Sequence, residues 1–358
     1  MQIQTPTVYD RWQTYQWNYN HAPQPVECNV ANVSGEWQFC GLPVGSPLGM
    51  PAGPLLNGRW CLYYASLGFD VLTYKTVRSS ARDCYPLPNL QPVECTSLHG
   101  GESDLPATSS MKGSWAVSYG MPSKAPDVWR ADVEQTRKQL SSEKILSVSV
   151  VGTVQEGWSI EDLADDYAKC ARWAIDSGAD CVETNFSCPN VSTCDGQLYQ
   201  QPNDAAIVAS RVREAIGNTP YIVKIGRIAQ AADAEALLDA IGETTDALAM
   251  TNSIASTITA PSGELLFDGK QRGICGEATR EASISQVRML HRLIDQRGLK
   301  LQMIGVGGVS TAQHVMDYLD AGAHAVHVAT AAMIDPEVAL KIRRQLQHFQ
   351  GSSVTSAK

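Results

Sequence analysis

The chain of 358 residues exceeds a typical domain of roughly 100 to 200 residues, but one α/β barrel of about 250 residues with extensions accounts for it. Hydrophobic residues at 44% against 18% charged provide for a large core and exclude a disordered chain or a coiled coil, and a net charge of -9 leaves no basic field for nucleic acid or an anionic membrane. Residues 1–20 carry no basic segment followed by an apolar one, and no run approaches the roughly 18 apolar residues of a membrane span, so a cytosolic protein is expected.

Residues 1–43 are polar and aromatic (Trp12, Tyr15, Trp17, Tyr19) and are expected to cap one end of the domain that follows. From residue 44 onward short apolar runs alternate with helical stretches, which is the pattern of βαβ units around a parallel sheet. Eight strands are predicted, over 47–51, 69–75, 145–151, 180–185, 221–225, 246–252, 301–306 and 324–329. Between them, Ser159 with Asp162 forms a capping box for a helix that presents Leu163, Tyr167, Ala171 and Ala174 on one face and stops at Gly178. A helix-ending Gly followed at once by a strand recurs at Gly68, Gly178 and Gly322. Eight such units over residues 44–350 fit an α/β fold of the (β/α)8 TIM-barrel type better than a doubly wound sheet, and no G-x-G-x-x-G follows the first strand.

Two insertions interrupt the repeat. Residues 76–126, rich in Ser, Pro and Gly, follow the second strand, and residues 254–276 follow the sixth. Both therefore fall on the C-terminal face, where barrel enzymes keep their active sites, and the longer one reads as a lid. Residues 351–358 are small and polar and are expected to fray. The ten cysteines contain no C-x-x-C pair, so neither zinc nor an iron–sulfur cluster is expected, and thiols such as Cys61 and Cys181 read as small buried hydrophobes. The histidines do not converge; His324 and His327 read as packed, hydrogen-bonded barrel residues, with no metal site.

The predicted strand ends give a polar ring: Ala52 and Gly53, Lys75 and Thr76, Asn185, Lys224, Thr251 with Asn252 and Ser253, Gly307 and Gly308, Ala329 and Thr330. Small residues after the seventh and eighth strands let backbone N–H groups approach an anion, so a phosphorylated ligand is expected there. Lys75 and Lys224 end apolar runs where an unpaired charge is costly. Each calls for an anionic ligand, for a barrel acid such as Glu183, or for a Schiff-base role that would make the chain a lyase or isomerase. Asn185-Phe186-Ser187-Cys188-Pro189-Asn190 follows the fourth strand directly. Its two carboxamides suit a ligand with amide edges, and a strand-end thiol can work as acid or base near neutral pH.

These motifs together resemble the flavin-dependent dihydroorotate dehydrogenase family across roughly residues 44–347. The loop 185–190 resembles the family's N-[LF]-S-C-P-N, Ser46 to Gly53 its first strand, Lys75 its flavin-loop lysine, Thr251 to Ser253 its sixth strand end, and Ile304 to Gly308 its phosphate strand. The cysteine at 188, where the membrane-associated branch has serine, resembles the soluble, single-subunit branch. The resemblance implies FMN across the barrel mouth, with its phosphate at Gly276, Gly307, Gly308 and Thr330. It places the ring near Ala52, Lys75, Asn185, Lys224 and Thr251, and Cys188 as the base. Asn185, Asn190, Asn252, Ser253 and Lys75 would hold a pyrimidine-like substrate, and a homodimer is implied. The lid departs from the pattern: Val117 stands where the family has a substrate-binding Asn, with Ser118 beside it as a substitute, and Cys84 to Asn89 lacks the family's Arg. A related enzyme acting on another cyclic amide or an unsaturated carbonyl remains the alternative.

Overall fold

The computed structural model describes residues 8–102, 104–187 and 194–353. Eight strands close into a barrel in which every neighbouring pair is parallel: β1 (Leu48–Met50), β2 (Val71–Val77), β3 (Ile145–Val150), β4 (Cys181–Asn185), β5 (Tyr221–Lys224), β6 (Ala247–Met250), β7 (Gln302–Val306) and β8 (Ala325–His327). All eight predicted strands are present in this order, with no end shifted by more than two residues.

One shift matters. Lys75 does not end β2: the strand runs on to Val77, and its register against β3 slips between Tyr74 and Val77. The slip is a bulge, which re-aims the residues it contains. Lys75 N bonds to Leu55 O at 3.1 Å instead of to β3.

The helices pack outside. The helix Ile160–Asp176 carries the expected capping box: Ser159 Oγ accepts from Asp162 N at 3.2 Å, and Asp162 Oδ2 accepts from Ser159 N at 2.9 Å. Such a cap contributes about 1 kcal/mol. Leu163, Tyr167, Ala171 and Ala174 are buried along this helix. Gly68, Gly178 and Gly322 all take positive φ, so the repeated helix-to-strand joint is also a repeated backbone conformation.

The N-terminal segment reaches both ends of the barrel. A hairpin, Trp37–Phe39 with Leu42–Val44, closes the bottom: Phe39 packs with Val71, Ile145, Cys181, Ile222, Ala247, Ile304 and Ala325. The short helix Tyr15–Asn20 instead lies by the mouth. The two insertions merge over the mouth into one antiparallel sheet with strand order Ile254–Ser256, Arg272–Gly276, Ser114–Val117, Leu90–Pro92. At the bottom, buried Arg343 donates to Asp70, Ser46 and the Gly68 carbonyl, tying the last helix, Val338–Ser353, to the barrel. None of the described helices is long and apolar enough to cross a membrane.

Candidate active site at the barrel mouth

A cavity of about 540 Å³ opens at the C-terminal ends of the strands, roofed by the insertion sheet and by Tyr15. It brings together Ala52, Gly53, Lys75, Thr76, Asn185, Lys224, Thr251, Asn252, Ser253, Gly276, Gly307, Gly308, Ala329 and Thr330. These positions span 52 to 330 in sequence and come from all but the third of the eight strand ends, together with the second insertion. Cys188 and Asn190 lie outside the described residues.

The two lysines solve their burial differently. Lys75 Nζ donates to the Thr76 carbonyl at 2.7 Å and to the Pro122 carbonyl, and sits 5.7 Å from the centre of the Tyr15 ring. Burial, reinforced by the charge of Arg78, lowers its pKa to about 7. Lys224 instead forms an ion pair with Glu183 Oε1 at 3.3 Å. The ion-pair reading of the sequence thus holds for Lys224, which also lines the cavity.

The carboxamides brace the loop that carries the N-x-x-C-P-N motif. Asn185 Oδ1 accepts from Ser187 N at 3.1 Å, and Asn252 Nδ2 donates to the Ser187 carbonyl and, at 3.2 Å, to its hydroxyl. Ser187 immediately precedes Cys188. Asn185 Nδ2 points at Met121 Sδ, 3.4 Å away, beneath the lid.

Three rim glycines fit a ligand that must approach the backbone. Gly276, Gly307 and Gly308 have φ of 102°, 131° and 64°, and a Cβ would lie 2.1 Å from Gly113 O, 2.8 Å from Thr279 Oγ1 and 2.7 Å from Arg280 Cβ respectively. Any side chain there would strain the turn and clash with the protein packed against it. Thr251 Oγ1 is buried in the cavity wall with no hydrogen-bond partner among the described residues, an acceptor and donor left for a ligand.

Ser118 is not brought to the cavity. Neighbouring residues on an extended segment face opposite sides. Val117 lines the cavity, and Ser118 Oγ accepts from Arg272 Nε at 2.8 Å within the lid. Asn89 is likewise structural, its amide donating to the carbonyls of Tyr85 and Ser118 at 2.9 Å. His324 is hydrogen-bonded as expected, its Nδ1 accepting from Met303 N at 3.2 Å, but His327 is not: both its ring nitrogens lack partners among the described residues, and its ring stacks on Phe39. Burial, with the charge of Lys224, lowers its pKa to about 3 and keeps it neutral.

Tyr15, Trp115, Met121 and Cys275 also line the cavity and were not singled out by sequence. Cys275 sits with Sγ 3.6 Å from the Asn252 carbonyl, and burial, partly offset by Lys224, pushes its thiol up to about 12. The alternation along Arg272–Gly276, which turns Gly273 and Cys275 to the cavity and Ile274 to the lid core, was the available signal for it.

Residues 36–349 match the family model for dihydroorotate dehydrogenase. The dihydroorotate dehydrogenase of Dictyostelium discoideum is 30% identical over 325 residues, 85% of this chain and 86% of that protein. The catalytic subunit of dihydroorotate dehydrogenase B (NAD(+)) from Methanothermobacter thermautotrophicus is 28% identical over 254 residues, 68% and 75% of the two chains. The crystal structure of DHODH from Eimeria tenella in complex with ferulenol superposes with a TM-score of 0.74 at 17% identity, covering 94% and 90%, which is a likeness of fold. The chain belongs to the dihydroorotate dehydrogenase family, oxidoreductases that act on CH–CH bonds.

Proposed function

We propose that the chain binds FMN across the barrel mouth and oxidises dihydroorotate or a closely related cyclic amide, with Cys188 as the base. The observation that carries this reading is the gathering, in one cavity, of two buried lysines, Lys75 and Lys224, with the rim glycines Gly276, Gly307 and Gly308. When bound, FMN supplies the two-electron acceptor for a hydride from the substrate carbon.

The chain's own residues account for the rest. Gly276, Gly307, Gly308 and Thr330 form a rim of glycines and one hydroxyl suited to a phosphate, with Ala52, Gly53, Thr76 and Ala329 as the neighbouring walls. Lys224, fixed by Glu183, places a positive charge where an electron-rich ring edge would be stabilised without rearrangement of solvent. Cys188 is the group that takes the proton from the carbon next to the one losing hydride, on a loop whose base is braced by Asn185 and Asn252. Asn190, Asn252 and Ser253 are the carboxamides and hydroxyl for the substrate's amide edges, and Lys75 the cation for its acidic or carbonyl side.

Val117, Met121 and Trp115 in the roof support a second reading, an FMN ene-reductase or desaturase for a less polar cyclic amide or unsaturated carbonyl. A Schiff-base role is disfavoured for Lys224 by its ion pair, and for Lys75 by the two carbonyls its ammonium binds. A cytoplasmic homodimer completes the proposal. Purified protein should be yellow, release FMN on denaturation, and resist borohydride trapping with a carbonyl substrate. Colourless protein that takes up no FMN would overturn the reading.

A further inference from the structure

Just below the cavity floor the barrel interior turns polar, where barrels of this kind are usually filled by branched apolar side chains. Glu183 and Lys224 are 1% and 4% exposed. The register pairs Asn185 with Lys224 and Glu183 with Ile222, so Glu183 stands one interior layer beneath Lys224, on the side away from a ligand. Lys224 lines the cavity and Glu183 does not.

The buried imidazole of His327, on the eighth strand, offers Glu183 no competing cation. His327 occupies the room that Gly49 leaves, where a Cβ would come within 2.4 Å of the imidazole. Its ring is buried and held neutral, so Lys224 is the charge that answers the carboxylate.

We propose that Glu183 is a positioning residue: its carboxylate fixes Lys224 as a charged ammonium in one orientation at the cavity floor, ready for negative charge that develops on the ligand above. The consequence for flavin rests on the FMN reading, but the ion pair itself does not.

The test uses Glu183→Gln, which keeps the size and removes the charge, with two readouts. In flavin-free protein, acetylation of Lys224 by acetic anhydride, mapped by mass spectrometry against exposed Lys138, should be at least fivefold faster in the variant, because only the neutral amine reacts and a buried cation without its partner loses its proton readily. In flavin-loaded protein the midpoint potential should fall, with reduced flavin bound about tenfold more weakly relative to oxidised, equivalent to about 30 mV. The sign is diagnostic. A carboxylate acting only through space would oppose negative charge on the ligand, and its removal would raise the potential. The shift should also vanish in a Lys224→Gln background, because the carboxylate acts through that lysine. A raised or unchanged potential, additive effects with Lys224→Gln, or unchanged acetylation would overturn the proposal. If the wild-type protein binds no FMN, the functional reading fails while acetylation still decides the role of Glu183. If Glu183→Gln does not fold, Glu183→Asp, with a longer contact and the charge retained, should shift both readouts the same way by less.

Discussion

Val117 and Ser118 face opposite sides of the lid: Val117 lines the cavity, and Ser118 Oγ accepts a hydrogen bond from Arg272 Nε at 2.8 Å. The two residues therefore make separable predictions. Val117→Asn places a carboxamide in the cavity and should lower KM for a cyclic amide substrate by roughly tenfold, the worth of about 1.4 kcal/mol, with little change in kcat. Ser118→Ala should leave KM within about twofold and instead lower stability by about 1 kcal/mol, read from urea unfolding. An increase in KM for Ser118→Ala would return that hydroxyl to the site.

The rim glycines give a prediction about cofactor retention. At Gly276 a Cβ would lie 2.1 Å from a backbone carbonyl that no side-chain rotation relieves. Gly276→Ala should purify folded, with a near-native circular dichroism spectrum, but with FMN content reduced by roughly tenfold or more. Full flavin occupancy in that variant would place the phosphate elsewhere.

Lys75 gives a pH dependence with a defined sign. Its pKa is lowered to about 7 in the folded, ligand-free protein by burial and by Arg78, below the ordinary lysine value of 10.5. Between those values the unfolded chain binds a proton that the folded chain lacks, so this group makes stability rise with pH across that window, by about 1.4 kcal/mol per pH unit, and fall as pH is lowered toward 7. An anionic ligand favours the charged form. Binding of FMN above pH 7 should therefore take up a proton, measurable at pH 8 by calorimetry in buffers of different ionisation enthalpy. Lys75→Met should abolish the uptake, and uptake that persists in it would assign the proton to another group.

The eight strands, the capping box at Ser159 and the position of the mouth were all legible in the sequence, because hydrophobic alternation, caps and turn glycines are local signals. Lys224 beside Glu183 was one of three alternatives the sequence left open, because a charge at the end of an apolar run must find a partner but the run does not say whether that is an acid of the barrel or a ligand. The bulge at Lys75 was not legible, since the register slip depends on pairing with a strand some seventy residues later. Nor was the merging of the two insertions into one sheet, in which Ser114–Val117 pairs with Arg272–Gly276. That pairing decides which of Val117 and Ser118 meets the ligand, and Tyr15 reaches the site only through the tertiary path of the N-terminal segment.

The base assignment is tested by Cys188→Ala, with Cys194→Ala as control. Cys188→Ala should keep the flavin spectrum and slow flavin reduction by substrate roughly a hundredfold or more, as expected for loss of a general base, while Cys194→Ala should reduce at the normal rate. Equal losses in the two variants would move the base elsewhere.

Whether this cavity joins FMN to a substrate of the dihydroorotate type is decided by anaerobic titration. Dihydroorotate, compared with a panel of dihydropyrimidines and lactams, is added to the oxidised yellow protein while flavin absorbance is followed. Dihydroorotate should bleach the flavin, more strongly in Val117→Asn than in the wild-type chain. Flavin that stays oxidised, in both proteins, at millimolar dihydroorotate and with every dihydropyrimidine and lactam of the panel would contradict it.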